Sequence, residues 1–298
     1  MTNSEGSRCA TDALSPVKGF LFDLDGTLLL SDRALGGYEV LPGAIEVLST
    51  LRSRAIPFVV LTNGSAYRPA EQASRLRSIG LPVEDGQMLT PSSVAADLMR
   101  RAGITRALVL GSAGVGDALA ESGIDITVPG GPRAQDVQAV YVGWHPECTM
   151  NDIETACHAI WAGAKLYVAS DVPFFATKQG RAMGYSYAIV GAIRRVTKAR
   201  VLLTGKPSLH ALRFAAKKLG LPIRDIAVVG DDPVVEILMA RRGGATALGV
   251  VTGTTTVEEW ARQPELKRPH RVLAHIGEIL TCGVVPPVNS RAAPSQKR

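Results

Sequence analysis

The chain has 298 residues, of which 46% are hydrophobic, 20% charged and 5% aromatic, and its formal net charge is +6. No apolar run approaches the roughly 20 residues that cross a bilayer, and the polar first fifteen residues lack a signal-peptide layout, which argues against a membrane role. Lys and Arg are scattered without aromatic interleaving, which argues against nucleic acid; a basic balance also suits an enzyme that draws in small phosphate anions.

A chain of this length forms one large domain or two modest ones, here with a core of Ala, Val, Leu and Ile. Its four cysteines, Cys9, Cys148, Cys157 and Cys282, show no framework spacing. They read as free thiols in a reducing compartment, so a cytoplasmic location is expected.

Tails without structure are expected over residues 1–15 and 284–298, the second rich in Pro, Ser and Arg. Between them, Gly19 to Leu24 (GFLFDL) predicts a buried strand and Phe58 to Thr62 (FVVLT) another, with a helical period from Gly43 to Arg54. Pro69 opens the next helix and Gly80 closes it. Thr90 and Pro91 start a helix that stops near Gly103. Strands follow at Arg106 to Leu110, Ala139 to Val142 and Leu166 to Ala169, with a helix from Asn151 to Ala162. Helices over Tyr185 to Thr197 and Ser208 to Leu219 precede strands at Ile226 to Val229 and Thr246 to Val251. Short apolar strands alternating with helices predict an α/β fold with a parallel sheet, and the surplus of strands predicts a core with an inserted domain.

Four strand or helix boundaries carry candidate chemistry. Asp23-Leu24-Asp25-Gly26-Thr27 follows the first strand, so both carboxylates emerge at its carboxyl edge, where open α/β sheets place ligands. Gly26 permits a sharp turn and Thr27 offers a hydroxyl or N–H to an anion. Two carboxylates here serve as nucleophile, proton donor and metal ligand for phosphoryl transfer. Thr62, Asn63 and Gly64 end the second strand with a hydroxyl and backbone N–H groups suited to phosphate oxygens. Lys206, before the helix from Ser208, can neutralise charge on a nucleophile and phosphoryl oxygens. Asp231 and Asp232 follow IAVVG, with Glu236 beyond. Asp231 is placed to supply a hard oxygen ligand to magnesium beside Asp23.

Two other patterns read as ordinary structure. His145, Cys148, Cys157 and His158 match no common zinc spacing, and Cys157 and His158 are neighbours on a predicted helix, pointing apart. Gly111, Gly114 and Gly116 reverse the dinucleotide fingerprint and no lysine follows, so a strand-to-helix connection is expected.

In order and placement the four stations resemble the four motifs of the haloacid dehalogenase superfamily in its phosphatase form, over residues of roughly 17 to 283. The long segment between the second and third motifs is similar to a class II cap. YVGWHPE and the stretch GAKLYVASD…MGYSYAIVGAI…TGKPS resemble the NagD or para-nitrophenyl phosphatase branch. The resemblance implies a Rossmann-like α/β core with a parallel central sheet (residues 16–84 and 179–283) and an inserted α/β cap of the C2 type (residues 85–178).

It also implies roles. Asp23 would become the aspartyl phosphate, and Asp25 would protonate the leaving alcohol and then activate water. One Mg2+ would be held by Asp23, the Asp25 carbonyl and Asp231, with Glu236 or Asp232 ordering its water. Thr62, Asn63 and Gly64 would bind phosphoryl oxygens while Lys206 steadies nucleophile and phosphate. A cap loop from Asp171 to Arg181 would contact the leaving group, with Phe174, Phe175, Lys178 and Arg181 as candidates. The substrate would be a small phosphorylated metabolite, and a homodimer could form through the cap.

Some positions depart from the family pattern: Glu236 replaces the usual Asp, Gly64 the usual Asn, and Ala-Ser-Asp and Met-Gly-Tyr-Ser-Tyr replace Thr-Asn-x-Asp and Pro-Gly-x-Gly-Ser. They leave two alternatives open: a pyrophosphatase on the same scaffold, or a catalytically weak binding or regulatory protein.

Overall fold

The computed structural model describes residues 14–32, 37–177 and 180–287. Six parallel strands form the first sheet, in the order Arg271–Leu273, Thr246–Val250, Ile226–Gly230, Gly19–Phe22, Phe58–Leu61, Met88–Leu89. Every residue of Gly19–Phe22, Phe58–Leu61 and Ile226–Gly230 is buried. Covered on both faces, such strands read as continuous apolar runs rather than alternating ones.

Alternate side chains leave opposite faces of the sheet. Phe20, Phe22, Val60 and Val229 pack with Val47, Leu48 and Leu51 of the helix Ala44–Ser53. Leu21, Val59, Leu61 and Val228 pack against Ala211, Leu212 and Ala215 of the helix Leu209–Leu219. The chain steps from Gly19–Phe22 to one side through Phe58–Leu61, and later to the other through Ile226–Gly230. That reversal opens a crevice at the carboxyl ends of the central strands, the place where such sheets bind ligands.

The second sheet has five parallel strands, in the order Val201–Leu203, Lys165–Val168, Ala139–Val142, Arg106–Leu110, Asp125–Thr127. Helices Met150–Trp161 and Tyr185–Thr197 cover one face and Pro91–Arg101 and Ala113–Ala120 the other. Pro91–Arg101 serves both lobes: Val94 joins the first core, while Ala95, Ala96 and Met99 join the second.

The strands correct the expected cap boundaries of 85 and 178. Met88–Leu89 pairs in the first sheet, and Val201–Leu203 pairs with Lys165–Val168 in the second. The second lobe therefore runs from the helix at Pro91 to Leu203. The helix Tyr185–Thr197 is a crossover between two parallel cap strands, a connection that periodicity alone assigns to neither lobe. The expected tail from 284 also begins too early: Val284 and Val285 are buried in the first core, and Val17 N–H donates to Val284 O at 2.9 Å. The remainder of both expected tails, 1–13 and 288–298, lies outside the described residues.

Two antiparallel hairpins went unpredicted. Leu29–Ser31 pairs with Tyr38–Val40 beside the first strand, and Phe174–Thr177 pairs with Gly180–Met183 in the second lobe. The second lies against Leu29–Ser31 of the core.

Candidate active site

Asp23 continues the ladder of its strand through an N–H that donates to Val229 O at 2.9 Å. The backbone then turns sharply, with Gly26 at φ 85° donating to Leu29 O at 2.7 Å. This turn brings Thr27 Oγ1 to 3.3 Å from Asp23 Oδ2 and lets Ser31 Oγ donate to Asp25 Oδ1. Gly26 is required twice over: its φ is left-handed, and a Cβ there would lie 2.5 Å from Asp231 Oδ2.

Lys206 is almost wholly enclosed, with 1% of its surface exposed. Its ammonium donates to Asp23 Oδ1 and lies 2.7 Å from Glu236 Oε1. Asn63 clamps the lysine's backbone: Asn63 Nδ2 donates to Lys206 O at 3.0 Å, and Lys206 N–H donates to Asn63 Oδ1 at 2.7 Å. The Asn63 amide is thus spent on positioning Lys206, where the resemblance implied a phosphate contact. Gly205 lets the chains meet, since a Cβ would lie 2.2 Å from Ala169 O and 2.5 Å from Asn63 Oδ1.

Asp231 leaves the neighbouring strand and its Oδ2 accepts from Thr254 N–H at 2.7 Å. Asp232 turns away to cap Val234 N–H at 2.7 Å. A wide π-type turn over Pro233–Ile237 then returns Glu236 to the strand end. It passes so close that a Cβ on Gly230 would lie 2.3 Å from Glu236 Cγ. Of the two acids left open by the sequence, Glu236 is therefore the one that pairs with Lys206.

Burial, with Asp23 nearby, pushes the Asp25 carboxyl up to about 6 despite the Ser31 hydrogen bond. The Asp231 carboxyl is pushed up to about 7 by burial and by Asp23. Burial raises Glu236 well above the usual range, with Lys206 opposing, and it raises Asp232 as well. Burial alone would lower Lys206, but Asp23 and Glu236 raise it further, so it stays charged.

Carboxylate oxygens of Asp23, Asp231 and Glu236 lie within 4.8 Å of one another. One ammonium cannot balance three such groups in a buried crevice, and hard oxygens of this kind suit a divalent cation. Lys206 engages Asp23 and Glu236 alike, so the three acids together make the donor set that fits such a cation. A Cβ on Gly253 would fall 2.0 Å from Asp231 Oδ2, so the carboxylate's cradle admits only glycine.

These groups open into a cavity of ≈ 190 Å³. The core lines it with Asp23, Asp25, Thr62, Asn63, Gly64, Ser65, Lys206, Asp231, Asp232, Val235, Glu236 and Thr254; the second lobe supplies Trp144, Ser170, Val172, Phe174, Gly184, Tyr185 and Ser186. Thr62 Oγ1 accepts from Gly64 N–H at 2.9 Å. Ser65 Oγ ties the lobes together by accepting from Trp144 N–H at 2.9 Å.

Of the four cap candidates, Phe174 lines the cavity, and Arg181 lies over the Phe174 ring at 4.3 Å without lining it. The Phe175 side chain and all of Lys178 lie outside the described residues. The sequence reading missed Ser65, Trp144, Tyr185, Ser186 and Thr254. Trp144 and Tyr185 sat inside the quoted YVGWHPE and MGYSY segments, but nothing in a one-dimensional pattern aims them at Asp23.

The glycine run Gly111 to Gly116 connects the strand Arg106–Leu110 to the helix Ala113–Ala120. Gly114 is where the cap helix meets the core, since a Cβ would lie 2.3 Å from Ala66 O. Gly116 packs against Ile126. The zinc-like set divides: Cys157 is buried in the second core, while His158 stacks edge-on with Trp161 at 5.4 Å. His145 and Cys148 approach Asp152, whose carboxylate accepts from Thr149 N–H at 2.8 Å in the helix capping box. Among the described residues no helix is long and apolar enough to cross a membrane.

Residues 20–125 match a family model described as Haloacid dehalogenase-like hydrolase, and residues 203–279 match one described as HAD-hydrolase-like. The chain is 26% identical to the 5'-nucleotidase YutF of Bacillus subtilis, over 88% of this chain and 96% of that protein. It is 28% identical to an acid sugar phosphatase of Staphylococcus saprophyticus, over 81% and 89%. The crystal structure of a 4-nitrophenylphosphatase from Thermotoga maritima superposes with a TM-score of 0.79 at 26% identity, covering 90% of this chain and 97% of that one.

Proposed function

Because the chain belongs to the haloacid dehalogenase-like hydrolases, in their NagD and para-nitrophenyl phosphatase branch, we propose that it hydrolyses phosphomonoesters with magnesium through an aspartyl phosphate on Asp23. The observation that carries this reading is the placement of Asp23 and Asp25 on one cavity with different partners. Asp23 is held by the Lys206 ammonium, whereas the Asp25 carboxyl is pushed up to about 6 and so retains a proton more readily. A carboxylate bonded to an ammonium suits the nucleophile, and a buried carboxyl that keeps its proton suits the donor.

Asp23 attacks the phosphorus through a carboxylate oxygen as the bond from phosphorus to the leaving oxygen breaks. Asp25 delivers its proton to that oxygen. In the second half, Asp25 takes a proton from water, the water oxygen attacks the phosphorus, and Asp23 departs with the electron pair as a free carboxylate. Lys206 neutralises Asp23 between turnovers, and Asn63 fixes Lys206 from behind. The Thr62 hydroxyl, which accepts from Gly64 N–H, and the Asn63 backbone N–H would meet the phosphoryl oxygens. Asp23 and Asp231, with the Asp25 carbonyl, would hold one Mg2+, which when bound neutralises charge on the phosphoryl oxygens. The substrate is a small phosphorylated metabolite.

The test is phosphate release from para-nitrophenyl phosphate and a panel of metabolite phosphates, with and without magnesium. Wild type is compared with Asp23→Asn and Asp25→Asn. Metal-dependent turnover, lost with Asp23→Asn on every ester, is the expected result. No turnover with magnesium, manganese or cobalt would overturn the reading in favour of a binding role, and two phosphates per turnover from pyrophosphate alone would replace it with a pyrophosphatase.

A further inference from the structure

We propose that Trp144 and Tyr185 form a rigid aromatic platform that selects phosphate esters whose leaving group is a flat, uncharged ring. This rests on the phosphatase reading and names the substrate class of the same site. The two rings meet edge to face, with centroids 4.8 Å apart and planes at 90°, and both line the cavity. They arrive from separate elements, Trp144 after the strand Ala139–Val142 and Tyr185 as the first residue of its helix.

Each ring follows a glycine whose backbone is tightly held. A Cβ on Gly143 would lie 2.4 Å from Val115 Cγ1, and one on Gly184 would lie 2.1 Å from Val172 O. The Trp144 N–H is fixed on Ser65, next to the Thr62–Asn63–Gly64 loop. The platform is therefore set at a defined distance from the phosphoryl site, and little conformational freedom is lost when a ring stacks on it.

Val172 and Phe174 extend the same apolar wall. Among the described lining residues Lys206 is the one cation, and it is engaged by Asp23 and Glu236, while Asp25, Asp231 and Asp232 also line the cavity. A leaving group bearing a carboxylate or second phosphate finds no uncommitted cation among the described lining residues, and a polyol finds few partners: Ser186 Oγ already donates to Ser170 O at 2.9 Å. Unpaired hydroxyls on an apolar wall are disfavoured, whereas a ring gains stacking contact there.

The experiment compares benzyl phosphate with glycerol phosphate, both alkyl esters, so that intrinsic leaving-group reactivity is similar. Binding of the non-hydrolysable benzylphosphonate is followed separately by tryptophan fluorescence and calorimetry. Wild type is expected to favour the benzyl ester in kcat/KM by at least about tenfold. Trp144→Ala and Tyr185→Ala should collapse that ratio and weaken benzylphosphonate to a similar degree, while Trp144→Phe, which keeps a ring, restores much of both. Equal kcat/KM for the two esters in wild type, or proportional losses on both esters in the variants, would overturn the platform while leaving the phosphatase reading standing. Absence of turnover on any ester, with benzylphosphonate binding that still depends on Trp144, would uphold the platform and remove the phosphatase reading instead.

Discussion

Glu236 Oε1 lies 2.7 Å from Lys206 Nζ, and the same ammonium donates to Asp23 from the other end of the chain. All three groups are nearly closed to solvent. The lysine therefore joins Asp23 just after the first strand, Glu236 on the turn after Ile226–Gly230, and the junction where the second lobe returns to the core. In the proposed reaction its positive charge would serve both the fold and the nucleophile.

Removal of that charge leaves two buried carboxyl groups, Asp23 and Glu236, without their cation. Lys206→Ala is expected to abolish turnover and, in metal-free protein, to lower stability by about 3–5 kcal/mol, the scale for breaking a buried pair. Urea denaturation beside a phosphate-release assay measures both. Glu236→Gln keeps the shape and should cost less stability while slowing turnover, because Lys206 then leans on Asp23 alone.

In the proposed reaction Asp25 acts on the leaving oxygen, so its contribution should follow the leaving group. Asp25→Asn is expected to slow hydrolysis of an alkyl phosphate by about 10²–10⁴-fold, the range for a positioned general acid. The loss should be much smaller in the first chemical step with para-nitrophenolate, which departs without a proton. Burst and steady-state kinetics on both esters measure this, and an equal effect on the two would contradict the role.

Asp231 gives a pH prediction. Its carboxyl is pushed up to about 7 from an ordinary 3.8. Between those values the metal-free fold holds a proton that the unfolded chain has released, so stability is greatest at the acid end and falls as pH rises through the window. Asp231→Asn should therefore stabilise the metal-free protein at pH 8 by about 1–3 kcal/mol. The same substitution should erase the rise in Tm on adding magnesium. In wild type the magnesium-induced rise should shrink as pH falls below about 7, because a proton on Asp231 competes with the cation. Thermal melts at several pH values, with and without magnesium, test all three statements.

Gly253 tests the cradle without touching a charge. The Cβ of Gly253→Ala would fall 2.0 Å from Asp231 Oδ2, so the carboxylate or the Thr252–Thr254 turn must move. The variant should fold, yet need at least tenfold more magnesium for half-maximal activity. Unchanged magnesium dependence would show that the cradle has slack.

The sequence by itself determined the core strands and the four stations, and the reason is local. A strand covered on both faces must be apolar throughout, so GFLF, FVVL and IAVVG declare themselves, and polar residues straight after them must lie at the sheet's carboxyl edge. Asp23, Asp25, Thr62 and Asp231 were legible on that ground, and Lys206 from its place before the helix Leu209–Leu219. What only the tertiary structure decided is which groups meet across the chain. Asn63 and Lys206 are 143 positions apart, yet clamp one another through the backbone. Glu236 meets Lys206 because a π-type turn, passing close over Gly230, carries it back to the strand end. Val201–Leu203 belongs to the second lobe because a crossover helix returns it beside Lys165–Val168. Trp144 and Tyr185 face the cavity because two lobes close on one crevice. Periodicity records whether a residue is buried; which neighbour buries it depends on how distant segments pack.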